Sequence, residues 1–210
     1  MAQIVTNTFF INDLHVPNSQ NNDDIGLPSE GNTTIDNLND CCVVVEKDLL
    51  LNALGLTLYN SLQTALINLP SAEQKWKDLV NGVEYDGKIW EGLNNPKSLI
   101  AYAVYYNFLN MDSEYWSTFG TVKGNAVNAE NVSPFYKLTS AWTTFLKKYQ
   151  VGACSSPDYY SGVGWEYVDY YGMHNSVNVS LYEFLRDKAD VYNWTPDKFR
   201  YYNHVNTFGL

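Results

Sequence analysis

The sequence is poor in cysteine and contains no long apolar run. Its three cysteines are Cys41, Cys42 and Cys154; two are adjacent, and no C-x-x-C spacing occurs. This arrangement argues against a disulfide framework or a zinc knuckle and favours buried free thiols made in a reducing cytoplasm. No stretch approaches the roughly 18 apolar residues of a membrane-spanning helix, and no secretory signal is visible at the N-terminus. We therefore expect no membrane partner.

Positive charge is scarce as well. Thirteen Lys and Arg residues stand against 23 Asp and Glu, which gives a net charge of −10 and a pI near 4.6. A protein that grips nucleic acid by neutralising phosphates needs a basic footprint, so the composition excludes that class. It remains compatible with a protein that surrounds DNA without gripping it.

The usual signatures of catalysis and cofactor binding are also absent. There is no P-loop, no nucleophile elbow and no H-E-x-x-H motif, and the stretch 162–164 lacks the third glycine of a dinucleotide loop. His15, His174 and His204 have no metal-ligand partner one helical turn away, so we expect solvated or hydrogen-bonded histidines. The sequence predicts a protein that is not an enzyme and that holds no metal and no cofactor.

Aromatic residues, by contrast, are abundant, with 17 Tyr, 9 Phe and 6 Trp. A chain of 210 residues is long enough for one domain with a sizeable core, because roughly 70% of the unfolded surface is buried at this size. Tyrosine combines a large contact area with a polar tip, so a Tyr-rich surface suits an interface. Half-buried core and rim positions explain most of the tyrosines equally well.

The stretch 70–110 organises the chain. A capping box beginning at Ser71 predicts a helix that ends at Gly82. An Asp-Gly pair at 86–87 stands between two short half-apolar runs, which is the strongest short-range signal of a β-hairpin. A long aromatic helix follows over residues 99–109, with apolar side chains at helical spacing, and we expect helical structure to continue or restart through 113–119. This module is typical of a rigid unit that buries surface and presents an edge.

Helical periodicity predicts further helices on both sides of this module. Two consecutive helices span about 36–69 with a bend near Gly55, another runs from 133 to 152, and a capping box at Ser180 opens one more. The predicted fold class is mainly α: a helical bundle with a small β-hairpin and extended N- and C-terminal arms. We divide the chain into an extended N-terminal arm and loop (1–35), a helical core with a hairpin near 83–90 (36–150), and an aromatic, glycine-rich insertion followed by C-terminal helices and a tail (151–210).

A set of motifs in the region of about 40–150 and at the extreme C-terminus resembles a known family. The motifs are Leu54-Gly55-Leu56-Thr57-Leu58-Tyr59-Asn60, Trp76-Lys77-Asp78-Leu79-Val80-Asn81-Gly82, the hairpin, Gly92-Leu93, the aromatic helix, Phe119-Gly120-Thr121-Val122 with Gly124, and Asn206-Thr207-Phe208-Gly209-Leu210. In this order they are similar to the head–tail connectors of tailed phages, and more narrowly to the adaptor proteins of phages of Bacteroidota, including crAss-like phages.

The resemblance implies a structural virion protein, made in the host cytoplasm, that forms a homo-oligomeric ring beneath the portal. It implies a dodecamer whose neighbours are the portal and other neck and tail ring proteins, with genome DNA passing through without sequence-specific binding. An acidic wall agrees with this role because it repels DNA and lets it slide. A head-to-tail interface gives such a ring when its rotation closes.

Six residues are predicted to lie at subunit interfaces, on the terminal arms and on the first hairpin strand. They are Phe9, Phe10, Val83, Tyr85, Phe208 and Leu210. An alternative function is an aromatic-rich ligand- or glycan-binding module of a phage or bacterial structural protein, with the aromatic residues of 159–171 as a stacking platform. An enzyme with a site built from scattered acidic residues is a third possibility, although no motif selects a pair.

Overall fold

The computed structural model describes residues 2–16, 33–112, 115–117, 120–122, 135–150, 177–195 and 199–202. This part of the chain is mainly helical, with a small hairpin, and it confirms the predicted helical bundle. The α-helices are α1 (Thr33–Ile67), α2 (Gln74–Asn81), α3 (Leu99–Asp112), α4 (Phe135–Gln150) and α5 (Leu181–Tyr192), and the strands are β1 (Val83–Tyr85), β2 (Lys88–Trp90), β3 (Tyr115–Ser117) and β4 (Gly120–Val122).

Helix α3 forms the centre of the bundle and packs against α4 and α1. Nearly every residue from Leu99 to Phe108 is buried, because the helix is apolar on almost all sides and needs neighbours around it. Helix α4 contributes an inner face with Leu138, Phe145 and Tyr149, which recur at the predicted helical spacing.

Helix α1 consists of two segments joined by a kink at Gly55. The backbone there has φ 74° and ψ 168°, a conformation that glycine adopts without steric cost, so the predicted bend is confirmed. Cys41 and Cys42 lie on the inner face of α1 and are free and buried, as predicted. Cys154 lies outside the described residues.

The β1–β2 hairpin forms at the predicted Asp-Gly turn. Asp86 and Gly87 have φ values of 47° and 75°, the two positive values that a type I′ turn requires. Strand β2 is not an edge, because Ile89 donates its N–H to the Val177 carbonyl and accepts from the N–H of Val179 at 3.0 Å. Strand β2 therefore has β1 on one side and residues 177–179 on the other.

Two local predictions about helix ends were wrong. Ser71 does not cap α2, because Leu69–Ser71 forms a separate 3-10 turn and Glu73 occupies the N-cap position without a side-chain bond. The predicted continuation of helical structure beyond Asp112 is also wrong, since β3 and β4 form an antiparallel pair. The aromatic and β-branched residues of these two strands favour extended structure over helix.

The capping box at Ser180 is confirmed, with its side chain accepting the N–H of Glu183 at 3.2 Å.

The N-terminal residues 2–16 do not extend away from the bundle as predicted. They form two 3-10 turns, Asn7–Phe9 and Asn12–Leu14, and this segment packs against α1 and α3. Its buried apolar side chains are Ile4, Val5, Phe10, Leu14 and Val16. Exposing the apolar surface of five such side chains to water is unfavourable, so the segment folds back onto its own chain.

Candidate functional site

The structure places the predicted interface residues in different environments. Phe10 has no exposed surface and packs within its own chain, so it is not available to a neighbour in this conformation. Phe9, Val83 and Tyr85 are half-buried against the same core. The predictions for Phe208, Leu210 and the aromatic stretch 159–171 lie outside the described residues.

Glu46 holds the N-terminal segment in place. Its side chain is 2% exposed, and its carboxylate accepts the backbone N–H groups of Ile4 at 3.1 Å and Val5 at 2.9 Å. Burial raises the pKa of Glu46 above its ordinary value, and the two N–H bonds oppose part of that shift. The carboxylate therefore has a structural task, which is to satisfy two backbone donors that would otherwise be buried alone.

A polar network fixes the hairpin to α5. Lys88 Nζ lies 2.9 Å from Glu183 Oε1 and 2.6 Å from Asp187 Oδ2, and the Tyr85 hydroxyl donates to Asp187 Oδ2 at 3.2 Å. Burial alone would lower the pKa of Lys88, but its bonds to Asp187 and Glu183 raise it. Burial, followed by the charge of Asp187, raises the pKa of Tyr85. The ammonium of Lys188 sits 4.1 Å from the centre of the Tyr85 ring, a cation–π contact.

Because the side chain of Tyr85 is engaged within the chain, the outer edge of β1 offers mainly its backbone. The two-residue turn makes Tyr85 and Lys88 a hydrogen-bonded pair, so Glu84 and Ile89 form the next, non-bonded pair. The N–H and C=O of Glu84 consequently point away from β2. Within the described residues no strand pairs with that outer edge. The prediction that β1 can pair across subunits therefore keeps a structural basis at Glu84.

Residues 199–202 close over α1 and α4 and form the wall of a cleft. Gln150 binds both backbone groups of Tyr202, with its amide donating to the carbonyl and its oxygen accepting the N–H, each at 2.7 Å. The N–H of Arg200 donates to the Asn52 carbonyl at 2.9 Å, and the Tyr149 hydroxyl donates to the Arg200 carbonyl at 2.9 Å. Asn52 Nδ2 also donates to the Tyr202 hydroxyl at 3.0 Å. These bonds fix the position of the Tyr202 ring.

The cleft beneath Tyr202 has a volume of about 310 Å³ and lies where α1, α3 and α4 converge. Its lining residues are Val45, Asp48, Leu49, Asn52, Ala103, Asn107, Trp142, Phe145 and Tyr202. Sequence reasoning missed this site, although Asp48 and Asn52 are one helical turn apart on α1 and Trp142 and Phe145 are three positions apart on α4.

A second, more open groove of about 560 Å³ lies between α1, α2 and the end of α5. Trp76 and Trp194 belong to its lining, and half of the remaining lining residues have hydroxyl or amide side chains. Neither concavity has a histidine or a cysteine among its lining residues.

The described residues contain no group of three or more metal-ligating side chains. His15 is exposed, whereas His174 and His204 lie outside the described ranges. Among the helices that the structure describes, none is both long enough and apolar enough to cross a membrane. No known protein family, curated protein or solved structure matches this chain.

Proposed function

We propose that this protein is a non-enzymatic structural subunit that assembles into a ring of identical copies. The ring is the head–tail connector of a tailed phage, seated beneath the portal, with genome DNA passing through its centre and tail proteins docking on it. This role fits a chain whose ionisable groups, where they are buried, hold structural elements together.

The observation that carries the proposal is the open edge of β1 on a rigid support. The hairpin is fixed to α5 through Lys88. Gly82, before β1, and Gly92, after β2, have no side chains, so the two backbone segments contact each other directly. The outward N–H and C=O of Glu84 are thus held in a fixed position. Strand addition at such an edge gives affinity through main-chain hydrogen bonds.

Because a ring interface is head-to-tail, two different surfaces of each subunit meet in it, and an apolar contact can accompany the strand pairing. The outer face of the second half of α1 provides a candidate, with Leu56 67% exposed and Ile67 81% exposed. These residues are eleven positions apart, which is about three helical turns, so they lie on the same side of the helix.

The test is the mass and shape of the purified full chain, measured by light scattering, native mass spectrometry and negative-stain microscopy. We expect a closed ring at micromolar concentration. A chain that stays monomeric at all concentrations, with and without the portal protein, would contradict the proposal.

A substitution at Glu84 tests the edge separately. Glu84→Pro removes the outward N–H without touching a bond to β2, since Glu84 belongs to the non-bonded pair. We expect circular dichroism to be unchanged and ring formation to be lost. Glu84→Ala is the matched control, because it removes the same carboxylate but keeps the N–H, and it should assemble normally. Rings formed equally by both variants would exclude the β1 edge as the interface.

A further inference from the structure

We infer that the cleft between α1, α3, α4 and Tyr202 binds an organic cation with a guanidinium or alkylammonium head. The inference does not depend on ring assembly, because every wall of the cleft belongs to a single chain. It rests on the hydrogen-bonding character of the lining, on the arrangement of its aromatic rings and on its size.

The cleft offers three groups with oxygen acceptors. Asn52 Nδ2 donates one of its two N–H groups to the Tyr202 hydroxyl, and Asn107 Nδ2 donates one to the Ala103 carbonyl at 2.8 Å, while the Oδ1 atom of each amide is open to a ligand. Asp48 adds a carboxylate that has no ion pair within the described part of the chain. A carboxylate beside two amide oxygens favours a cationic ligand with several N–H donors.

Positive charges are absent from the lining of the same cleft. No Lys, Arg or His is among its lining residues. The donors that remain are the Tyr202 hydroxyl, the second N–H of each Asn amide and the indole N–H of Trp142, which is buried with no hydrogen-bond partner among the described residues. An anion would therefore meet the Asp48 carboxylate with no cationic side chain to compensate the repulsion.

Three aromatic rings provide the apolar walls. Phe145 and Tyr202 meet at an interplanar angle of 76°, Trp142 and Tyr202 at 88°, and Trp142 and Phe145 at 45°, with ring centres 5.2–6.0 Å apart. The three rings are in contact with one another, and the half-buried Trp142 and Tyr202, unlike the buried Phe145, keep part of their ring surface accessible beside the cleft. An organic cation placed against such a ring is attracted by its π-system, and the Asp48 carboxylate adds charge attraction.

The size of the cleft limits the guest to one small group. A volume of about 310 Å³ accommodates a guanidinium or ammonium head with its alkyl stem and little more. A guest in this cleft would have Val45 and Leu49 for contacts with its alkyl stem and the Asn and Asp oxygens for hydrogen bonds with its head. The same chemistry is available from a free amine and from a Lys or Arg side chain of a partner.

The inference is tested by calorimetric titration of the full chain with butylguanidinium and with butylammonium. We expect submillimolar binding of these probes and no binding of butyramide or butyrate, which share the stem but lack the positive charge. Equal affinity for butyramide, or no binding of either cation, would overturn the inference.

Asp48→Asn tests the site itself, since it removes the charge and nearly preserves the shape. We expect the affinity for butylguanidinium to fall at least tenfold. The matched control is Asp40→Asn, an exposed aspartate two turns earlier on α1 and outside the cleft, which should bind like the wild type. Unchanged affinity in Asp48→Asn, or an equal loss in both variants, would overturn the inference.

The source of the cation is resolved by comparing the isolated subunit with the assembled protein. If the isolated subunit binds the probe and the assembly does not, a neighbouring side chain occupies the cleft. If both bind the probe, the natural ligand is a free cation. Either result supports the inference and distinguishes its two forms.

Discussion

Glu46 shows how a single buried charge can be retained because of its hydrogen bonds. The Glu46 carboxylate accepts hydrogen bonds from two backbone N–H groups. Each of these N–H groups loses its acceptor when residue 46 has no side-chain oxygen. We expect Glu46→Leu to lower the free energy of unfolding by about 2 to 4 kcal/mol, since an unsatisfied buried donor costs about 1 to 3 kcal/mol. Glu46→Gln keeps one side-chain oxygen and should lose less. Chemical denaturation of both variants provides the measurement, and equal losses would contradict the assignment.

The same residue predicts a pH effect. The pKa of Glu46 is raised above 4.5 in the folded state, mainly by burial, so folding disfavours its ionised form. The stability that Glu46 contributes is therefore fully present at pH values below its unfolded-state pKa. It is lost as the pH rises through the folded-state pKa. The difference in unfolding free energy between the wild type and Glu46→Gln should fall as the pH rises from about 4 towards neutrality. A pH-independent difference would contradict the raised pKa.

Glycine residues in the central module permit a second prediction at the residue scale. A Cβ at Gly82 would lie 2.6 Å from the Trp90 carbonyl oxygen, and one at Gly92 would collide with the backbone of Val80–Gly82. A Cβ at Gly87 would meet nothing within 4 Å. We expect Gly82→Ala and Gly92→Ala to cost about 3 kcal/mol or more through backbone clashes, and Gly87→Ala only about 1 kcal/mol through its positive φ.

Thermal melts of the three alanine variants compare these costs directly. The Gly87 variant serves as the internal control, since it shares the positive φ but not the close approach. Equal decreases in Tm for all three variants would show that the positive φ, and not the close backbone contact, is the reason for glycine at these positions.

Among the contacts between structural elements, the attachment of the hairpin to α5 depends most on ion pairs. Lys88 contacts two carboxylates that are 11% and 21% exposed, whereas Lys75 contacts the 70% exposed Glu73. We expect Lys88→Met to destabilise the fold by about 1 to 2 kcal/mol after allowance for solvent screening, because it leaves Glu183 without its cation and Asp187 with only the 3.8 Å contact to Arg186. Lys75→Met removes an exposed pair and should change stability by less than about 0.5 kcal/mol. Urea denaturation of both variants checks the contrast.

Local signals in the sequence were sufficient for most of these elements. Apolar periodicity predicted α3 and α4, Gly55 predicted the kink of α1, and the Asp-Gly pair predicted the hairpin, because each depends on residues close together in the chain. The β3–β4 pair was missed because its aromatic residues continued the helical pattern of α3. The N-terminal segment was misplaced because its acceptor, Glu46, is more than 40 positions away.

The cleft was beyond sequence reasoning for the same reason. Its walls come from three helices and from Tyr202, which is 150 positions from its hydrogen-bond partner Asn52. No spacing rule connects such residues, and Asp48 and Asn107 are individually ordinary surface-type side chains. Only the packing of α1 and α4 around α3 brings them together.

For the whole molecule, net charge determines behaviour towards DNA. Lys75, Lys88, Lys97 and Lys148 each have a carboxylate oxygen within 2.6–3.6 Å, so four of the thirteen basic side chains are already paired. We expect no measurable binding of the full chain to duplex DNA at physiological salt, where non-specific binders show Kd values of about 10⁻⁴ to 10⁻⁶ M. Lower salt should change little, since few counterions would be released.

Fluorescence anisotropy with a labelled duplex, alongside a basic DNA-binding protein as positive control, measures this directly. Micromolar affinity with a steep salt dependence would reveal a clustered basic face and would contradict a channel that lets DNA slide by repulsion. Once the ring is seen, replacing acidic residues that face its lumen with lysine should slow the passage of DNA while leaving assembly intact.

The closure of residues 199–202 over α1 also has a consequence for the order of folding. Contacts between groups so distant in sequence carry a large loop-closure entropy and form after local helical contacts. During synthesis, α1, α3 and α4 are all made before Tyr202, and the bundle begins to assemble with one wall of the cleft absent. Among the parts of the chain that the structure describes, the cleft is therefore the last to be completed, so a ligand or neighbour that depends on it engages only after Tyr202 is in place.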